Sequence, residues 1–472
     1  MVSLNKKTAI ILIHGMGEQR PMNALKSFVK SVWLDDDRVS KGKSNQVWSK
    51  PDHISESFEL RRLTTGQNTA GKRQDFFEFY WAHLMHGTEL VDIIDWVKML
   101  LWRPSKDIPK NLHKEYIALF IVVGILGALA LVAAAGLFFS GKVALTAVAL
   151  ASVLLAFIKS RVLLPVVGDA ARYLSPTPRN VARRTAIRAA GLSLVKRLHD
   201  SGKYDRIIIV GHSLGSVIGY DLMRYYWSEI VKDVIPDDDQ KTAFDDLLRE
   251  VELSSKTVTE HPGNEAAYLK FRQLQNTLWR EIAKINNRKD NPVWLISDFV
   301  TMGSPLAHGN VLLAATLVGF KQQKRMRELP TVPPYLEHLN PPKFTYDSNG
   351  KTYQHHAALF SCTRWTNIYF PVDWVVGGDA VGGPVRKIFG NGIRDVAVHT
   401  SRQYGLASHN FYWSRYNEDK LGADSVRSYI SALRRALNLL DEDEVALWGE
   451  LADKAKTEGG DFSPRPKYEK PD

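Results

Sequence analysis

Gly211-His212-Ser213-Leu214-Gly215 follows the apolar run Arg206-Ile207-Ile208-Ile209-Val210, and this junction constrains the fold more than any other segment. A G-x-S-x-G pattern after a strand-like run describes a sharp strand-to-helix turn with the serine hydroxyl exposed at its tip. Glycine is needed two positions either side because a Cβ there would strike the strand or the incoming helix. Val217, Ile218 and Leu222 continue the pattern as an apolar helix face, whose free N–H groups and positive dipole end suit a developing negative charge. A phosphate loop would place lysine after the last glycine, where this chain has Ser216, so a nucleotide site is disfavoured.

A serine nucleophile needs a base and an acid, which in a strand-turn-helix site of this kind follow it in the chain order serine, acid, histidine. His409, in Ala407-Ser408-His409-Asn410-Phe411-Tyr412-Trp413, occupies a late loop and is the expected base, with the strand-end His399 as its competitor. Asp373, after the strand-like Trp365 to Phe370 and the turn residue Pro371, is the expected acid. Asp379 ranks second because aspartate beside Gly377-Gly378 usually forms turns, and Asp298 reads as a buried structural carboxylate. Near the N-terminus, the buried-strand pattern Thr8 to Ile13 runs into His14-Gly15-Met16-Gly17. The amides of Met16 and Leu214 are the expected oxyanion donors, with His14 a buried histidine packed under the turn.

On these residues, together with Thr301-Met302-Gly303-Ser304-Pro305, the chain resembles the α/β-hydrolase superfamily, especially its lipase-like serine esterases. The resemblance implies a mostly parallel sheet flanked by helices, a serine nucleophile, an acyl-enzyme intermediate and lipid-like or other acyl ester substrates. It implies no cofactor. An acyltransferase using the same triad and a non-catalytic membrane scaffold of the same fold are the alternatives.

Tyr116 to Ser140 is 25 residues long and uncharged, a helix of roughly 37 Å if continuous, which is enough for a ~30 Å hydrocarbon core. Val143 to Ile158 is shorter and is flanked by Lys142 and Lys159, which can snorkel. The strands before His14 and Ser213 belong to one sheet, so the chain between them must cross a bilayer an even number of times, as a hairpin does. Buried helices of a large lid are the alternative. Lys98, Arg103, Lys106, Lys110 and Lys114 before the hairpin, and Lys159, Arg161, Arg172 and Arg179 after it, place the catalytic part on the cytoplasmic side. Residues 90–102 read as an interfacial or surface helix.

The expected organisation is a first core part at 1–87, a membrane-associated insertion at 88–175 with the hairpin at 116–140 and 143–158, and the remaining core at 176–453. Helical lid insertions are expected near 237–289 and 329–343, and a disordered tail at 454–472. The single Cys362 excludes an internal disulfide framework. The net charge of +11 suits an anionic membrane surface. No nucleic-acid motif accompanies that charge, no histidine–cysteine–carboxylate spacing suggests a metal, and no secretory signal is expected in the N-terminal run.

Overall fold

The computed structural model describes residues 7–16, 20–39, 45–85, 103–109, 173–285, 293–337, 342–372, 378–398, 405–413 and 428–448, apart from residues 176 and 380. It also describes isolated helical positions at 98, 117, 120, 121, 124, 125, 127, 128, 131 and 149.

The strands among the described residues are β1 (Lys7–Ile13), β2 (Val47–Pro51), β3 (Arg61–Thr65), β4 (Gln74–Phe79), β5 (Tyr204–His212), β6 (Ile296–Met302), β7 (Thr345–Ser348), β8 (Lys351–Gln354), β9 (Arg364–Tyr369) and β10 (Arg394–Ala397). Eight of them form one sheet in the order β10-β9-β6-β5-β1-β4-β3-β2, while β7 and β8 make a separate hairpin. From β10 to β4 every neighbour is parallel, and β3 and β2 extend the β4 edge in antiparallel fashion. This is the α/β class expected from the sequence, a mostly parallel sheet flanked by helices.

The central stretches Ala9 to Ile13 of β1 and Ile207 to Val210 of β5 are apolar without a break because both faces are covered. Ala9, Ile11, Ile13, Ile207 and Ile209 enter one core cluster, and Ile10, Leu12, Ile208 and Val210 enter the other, as the two-residue period of a strand requires. The first face receives α2 (Pro178–Asp200), α3 (Leu214–Ile230), α4 (Lys241–Glu260) and α5 (Glu265–Ile282). The second receives α1 (Asn23–Val29) and α7 (Tyr429–Leu437), while α6 (Leu317–Arg325) adds Phe320 to the first.

The stretch expected as a lid near 237–289 contributes instead to the core. Phe271, Leu278 and Ile282 of α5 are buried with Val217 and Ile218 of α3, and α5 packs on β6 and β9. Half of the residues in this helix are polar, yet the apolar ones fall on one stripe, and the stripe decides where it packs. The segment near 329–343 is tied to residues 389–392 by Val332 N–H to Phe389 O and Gly392 N–H to Val332 O, both 2.8 Å.

The spans 116–140 and 143–158 lie mostly outside the described residues, as do 90–97, 99–102 and 454–472. Among the described residues no helix is long and apolar enough to cross a membrane. Ile117, Phe120, Ile121, Ile125 and Leu131 are helical and 52–72% exposed.

Candidate active site

Ser213 stands between the C-terminal end of β5 and the first residue of α3, at φ 52° and ψ −128°. A positive φ at a residue bearing a side chain is strained backbone, and it persists only where surrounding packing imposes it. Gly215 is the tightest point of the turn: a Cβ on it would lie 2.1 Å from the Ile13 carbonyl oxygen of β1. The Ser213 N–H is tied to Met302 O of β6 at 3.0 Å. Ser216 Oγ donates to Ser213 O and lies 2.6 Å from Ser304 Oγ, joining the turn to the loop after β6.

The loop after β1 passes directly beside the serine. A Cβ on Gly15 would fall 2.9 Å from Ser213 Cβ, so only glycine permits this approach. His14 is 1% exposed and stacks on Trp81 at 5.1 Å. Its Nδ1 donates to Gly15 O at 2.8 Å, and the Trp81 indole N–H donates to His14 O at 3.0 Å. Burial lowers the His14 pKa to about 4, so the ring is neutral and acts as a clamp on the loop. This arrangement brings Gly15 against the serine, and α3, whose free first-turn amides begin at Leu214, starts at the next residue. Gly17 lies outside the described residues.

Glu78 of β4 fixes the far end of that loop segment. Its carboxylate accepts the Met22 N–H at 2.6 Å, and burial pushes its pKa up from 4.5 to about 7. The native state therefore binds a proton that the unfolded chain releases between those values, and stability falls as pH rises through that window. Glu78→Gln is expected to unfold at higher urea concentration than wild type at about pH 8, by up to ~3 kcal/mol. The difference should vanish below the unfolded-state pKa.

His409 lies in the short helical turn Gly405–Asn410, beyond β10. Its Nδ1–H donates to Asp379 Oδ2 at 2.9 Å, and the Tyr412 hydroxyl donates to the same oxygen at 2.7 Å. Asp379 is fully buried, and burial alone would raise its pKa. Hydrogen bonds from His409, Tyr412 and the backbone outweigh that and hold the carboxyl at about 2, ionised throughout the neutral range. Gly303, at φ +55°, makes room for this pair: a Cβ there would meet Asp379 Oδ2 at 2.8 Å and His409 Nδ1 at 3.0 Å.

The expected acid is thereby corrected. Asp373 lies outside the described residues, and Asp379 occupies the ring nitrogen that an orienting carboxylate must take. The turn reading of Gly377-Gly378-Asp379 is itself sound, since Asp379 Oδ1 accepts the Val381 N–H at 2.9 Å. The other carboxylate oxygen is left for the imidazole. Asp298 is excluded because Arg206, Arg364 and Ser297 take its oxygens at 2.6–3.1 Å inside the sheet. His399 lies outside the described residues.

Two contributors, Tyr412 and Gly382, escaped the sequence reading, and His212, expected only as part of the supporting turn motif, has a further role. His212 donates from Nε2 to the His409 carbonyl at 2.8 Å, so the residue before the serine carries the base loop. Burial lowers its pKa to about 3 and keeps it neutral. Tyr412 accepts the Phe370 N–H at 3.3 Å while donating to Asp379, which ties the end of β9 to the acid. Gly382 supplies Asp379 with a backbone donor. Tyr412 stands in the segment that carries His409, but nothing local marks it as a partner of a residue 33 positions away.

The cluster contains two buried side-chain atoms without hydrogen-bond partners, Ser213 Oγ and His409 Nε2. A nucleophile and its base use these two atoms. Ser213 is 1% exposed, so the pair is held away from bulk water. No group of three or more potential metal ligands occurs among the described residues. Comparison of the chain with protein-family models, curated proteins and solved structures finds no match.

Proposed function

We propose that the chain is a membrane-anchored serine hydrolase of α/β-hydrolase fold that cleaves carboxylic esters, chiefly of lipids. The carrying observation is the cluster itself: His409 Nδ1 is held by an ionised Asp379, while His409 Nε2 and Ser213 Oγ remain unpaired. The chain order serine, acid, histidine agrees with this fold, with the acid after β9 and the base after β10.

In this reading Ser213 Oγ attacks the ester carbonyl as His409 Nε2 takes its proton, and Asp379 Oδ2 stabilises the imidazolium that forms. The amides of Leu214 and Met16 receive the oxyanion. His409 then protonates the departing alcohol, leaving an acyl-Ser213. Water, activated by His409, releases the carboxylic acid and restores the serine. The exposed apolar helical positions Ile117, Phe120, Ile121, Ile125 and Leu131 support attachment to a bilayer, and the flanking lysines and arginines support a catalytic part on the cytoplasmic side.

Burial of Ser213 also suits transfer of the acyl group to an alcohol, because excluded water cannot compete. Incubation of the full chain with p-nitrophenyl butyrate and with phospholipid in detergent separates the two outcomes. The proposal predicts free carboxylic acid from both substrates, with or without added alcohol. Product that appears only as a new ester on the added alcohol would make the protein a transferase, and no turnover of either substrate would overturn the reading.

A further inference from the structure

A second polar site lies apart from the serine cluster. The end of α4, α6, residues 331–337 and residues 386–391 enclose an open cleft of about 740 Å³, within the size range of small-molecule sites. Lys256, Lys321, Lys324, Arg325, Arg386 and Lys387 line it, against two carboxylates. Both carboxylates are already engaged, Glu260 with Lys256 at 4.0 Å and Glu337 with Arg327. Among the described residues, no carboxylate forms an ion pair with Lys321, Lys324, Arg325 or Arg386, although Asp395 accepts the Arg386 backbone N–H at 2.9 Å and feels its charge.

Arg386 is the built element of this site. It is only 6% exposed and is held over the Tyr268 ring at 5.0 Å. Its Nη2 donates to Pro262 O at 2.9 Å, yet its Nε is buried without a partner. Lys324 spends one donor on Ile388 O at 2.9 Å, and burial together with the neighbouring charge of Lys321 disfavours its charged form. Cations crowded at the edge of a partly dry cleft destabilise one another until an anion neutralises them.

We propose that this cleft binds a phosphate-bearing small molecule through Arg386, Lys321, Lys324 and Arg325. A carboxylate would neutralise one of these cations. A phosphate monoester carries nearly two charges and three acceptor oxygens, and a guanidinium donates to it in a directed, charge-assisted geometry. The same chemistry is offered by a soluble phosphate ester and by a phosphomonoester lipid headgroup.

Calorimetric titration of the full chain in detergent, at constant ionic strength, tests the assignment with two probes: inorganic pyrophosphate and dihexanoyl phosphatidic acid below its micellar concentration. The wild type is expected to bind one equivalent of at least one probe. The double variant K321E/R325E, changed at two exposed positions, is expected to bind it roughly tenfold or more weakly while retaining ester hydrolysis. Tighter binding of pyrophosphate identifies a soluble ligand, and tighter binding of phosphatidic acid identifies a lipid headgroup. Absence of saturable binding to both probes, or unchanged affinity in K321E/R325E, would overturn the proposal without bearing on Ser213.

Discussion

Ser213→Ala should lower kcat for p-nitrophenyl ester hydrolysis by roughly 10⁶, the loss seen when a serine nucleophile is removed from a complete triad. The same variant should unfold at the wild-type temperature. Ser213 Oγ is buried but makes no hydrogen bond, so replacing it by hydrogen removes no native interaction. The strained φ of 52° belongs to the backbone and is shared by alanine. Release of p-nitrophenol together with a circular-dichroism melt distinguishes this outcome from misfolding. A large fall in melting temperature would mean that the hydroxyl serves the fold.

Asp379→Asn is expected to cost about 10⁴ in kcat, because an amide cannot stabilise the imidazolium and favours the wrong histidine tautomer. The KM should change little, since the side chain touches the base and not the substrate. Some stability is also lost. Asp379 Oδ2 receives both His409 Nδ1–H and the Tyr412 hydroxyl, and a buried donor left unmatched costs about 1–3 kcal/mol. Asp373→Asn should leave turnover near wild type. The paired measurement decides between the two carboxylates: a dead Asp373→Asn with an active Asp379→Asn would reverse the assignment drawn from the geometry.

The contrast between these residues explains what a sequence of this kind reveals. The turn at Ser213 was legible because its constraints are local: a strand, two glycines, a serine and a helix within a few positions. The structure supplies the reason for one of those glycines in the contact that a Gly215 Cβ would make with Ile13 O. The parallel strands were legible for a similar reason, as runs such as Ile207 to Val210 need cover on both faces. The acid was not. Residues around Asp379 speak for a turn, and they are right. What sets this aspartate apart is the arrival of His409 and Tyr412 from 30 and 33 positions away. The helix α5 failed in the opposite sense. The polar stretch 237–289 that contains it suggests a cover over the site, but Phe271, Leu278 and Ile282 lie at helical spacing and give it a core face. Periodicity, not net polarity, decides where the helix packs.

His212 shows how closely the site is bound to the turn. Its Nε2 supports the His409 carbonyl, so displacement of the serine would also displace the base. The clamp of His14 and Trp81 acts through Gly15, where a Cβ would meet both Ser213 and His212. A neutral histidine serves in each place, since burial lowers both pKa values well below the physiological range.

Treatment of the full chain with a fluorophosphonate, followed by intact-mass analysis and peptide mapping, tests the nucleophile most directly. The account predicts one adduct per chain, located on Ser213, with its formation strongly slowed by His409→Ala. An unmodified wild-type chain, or an adduct that persists in Ser213→Ala, would contradict it.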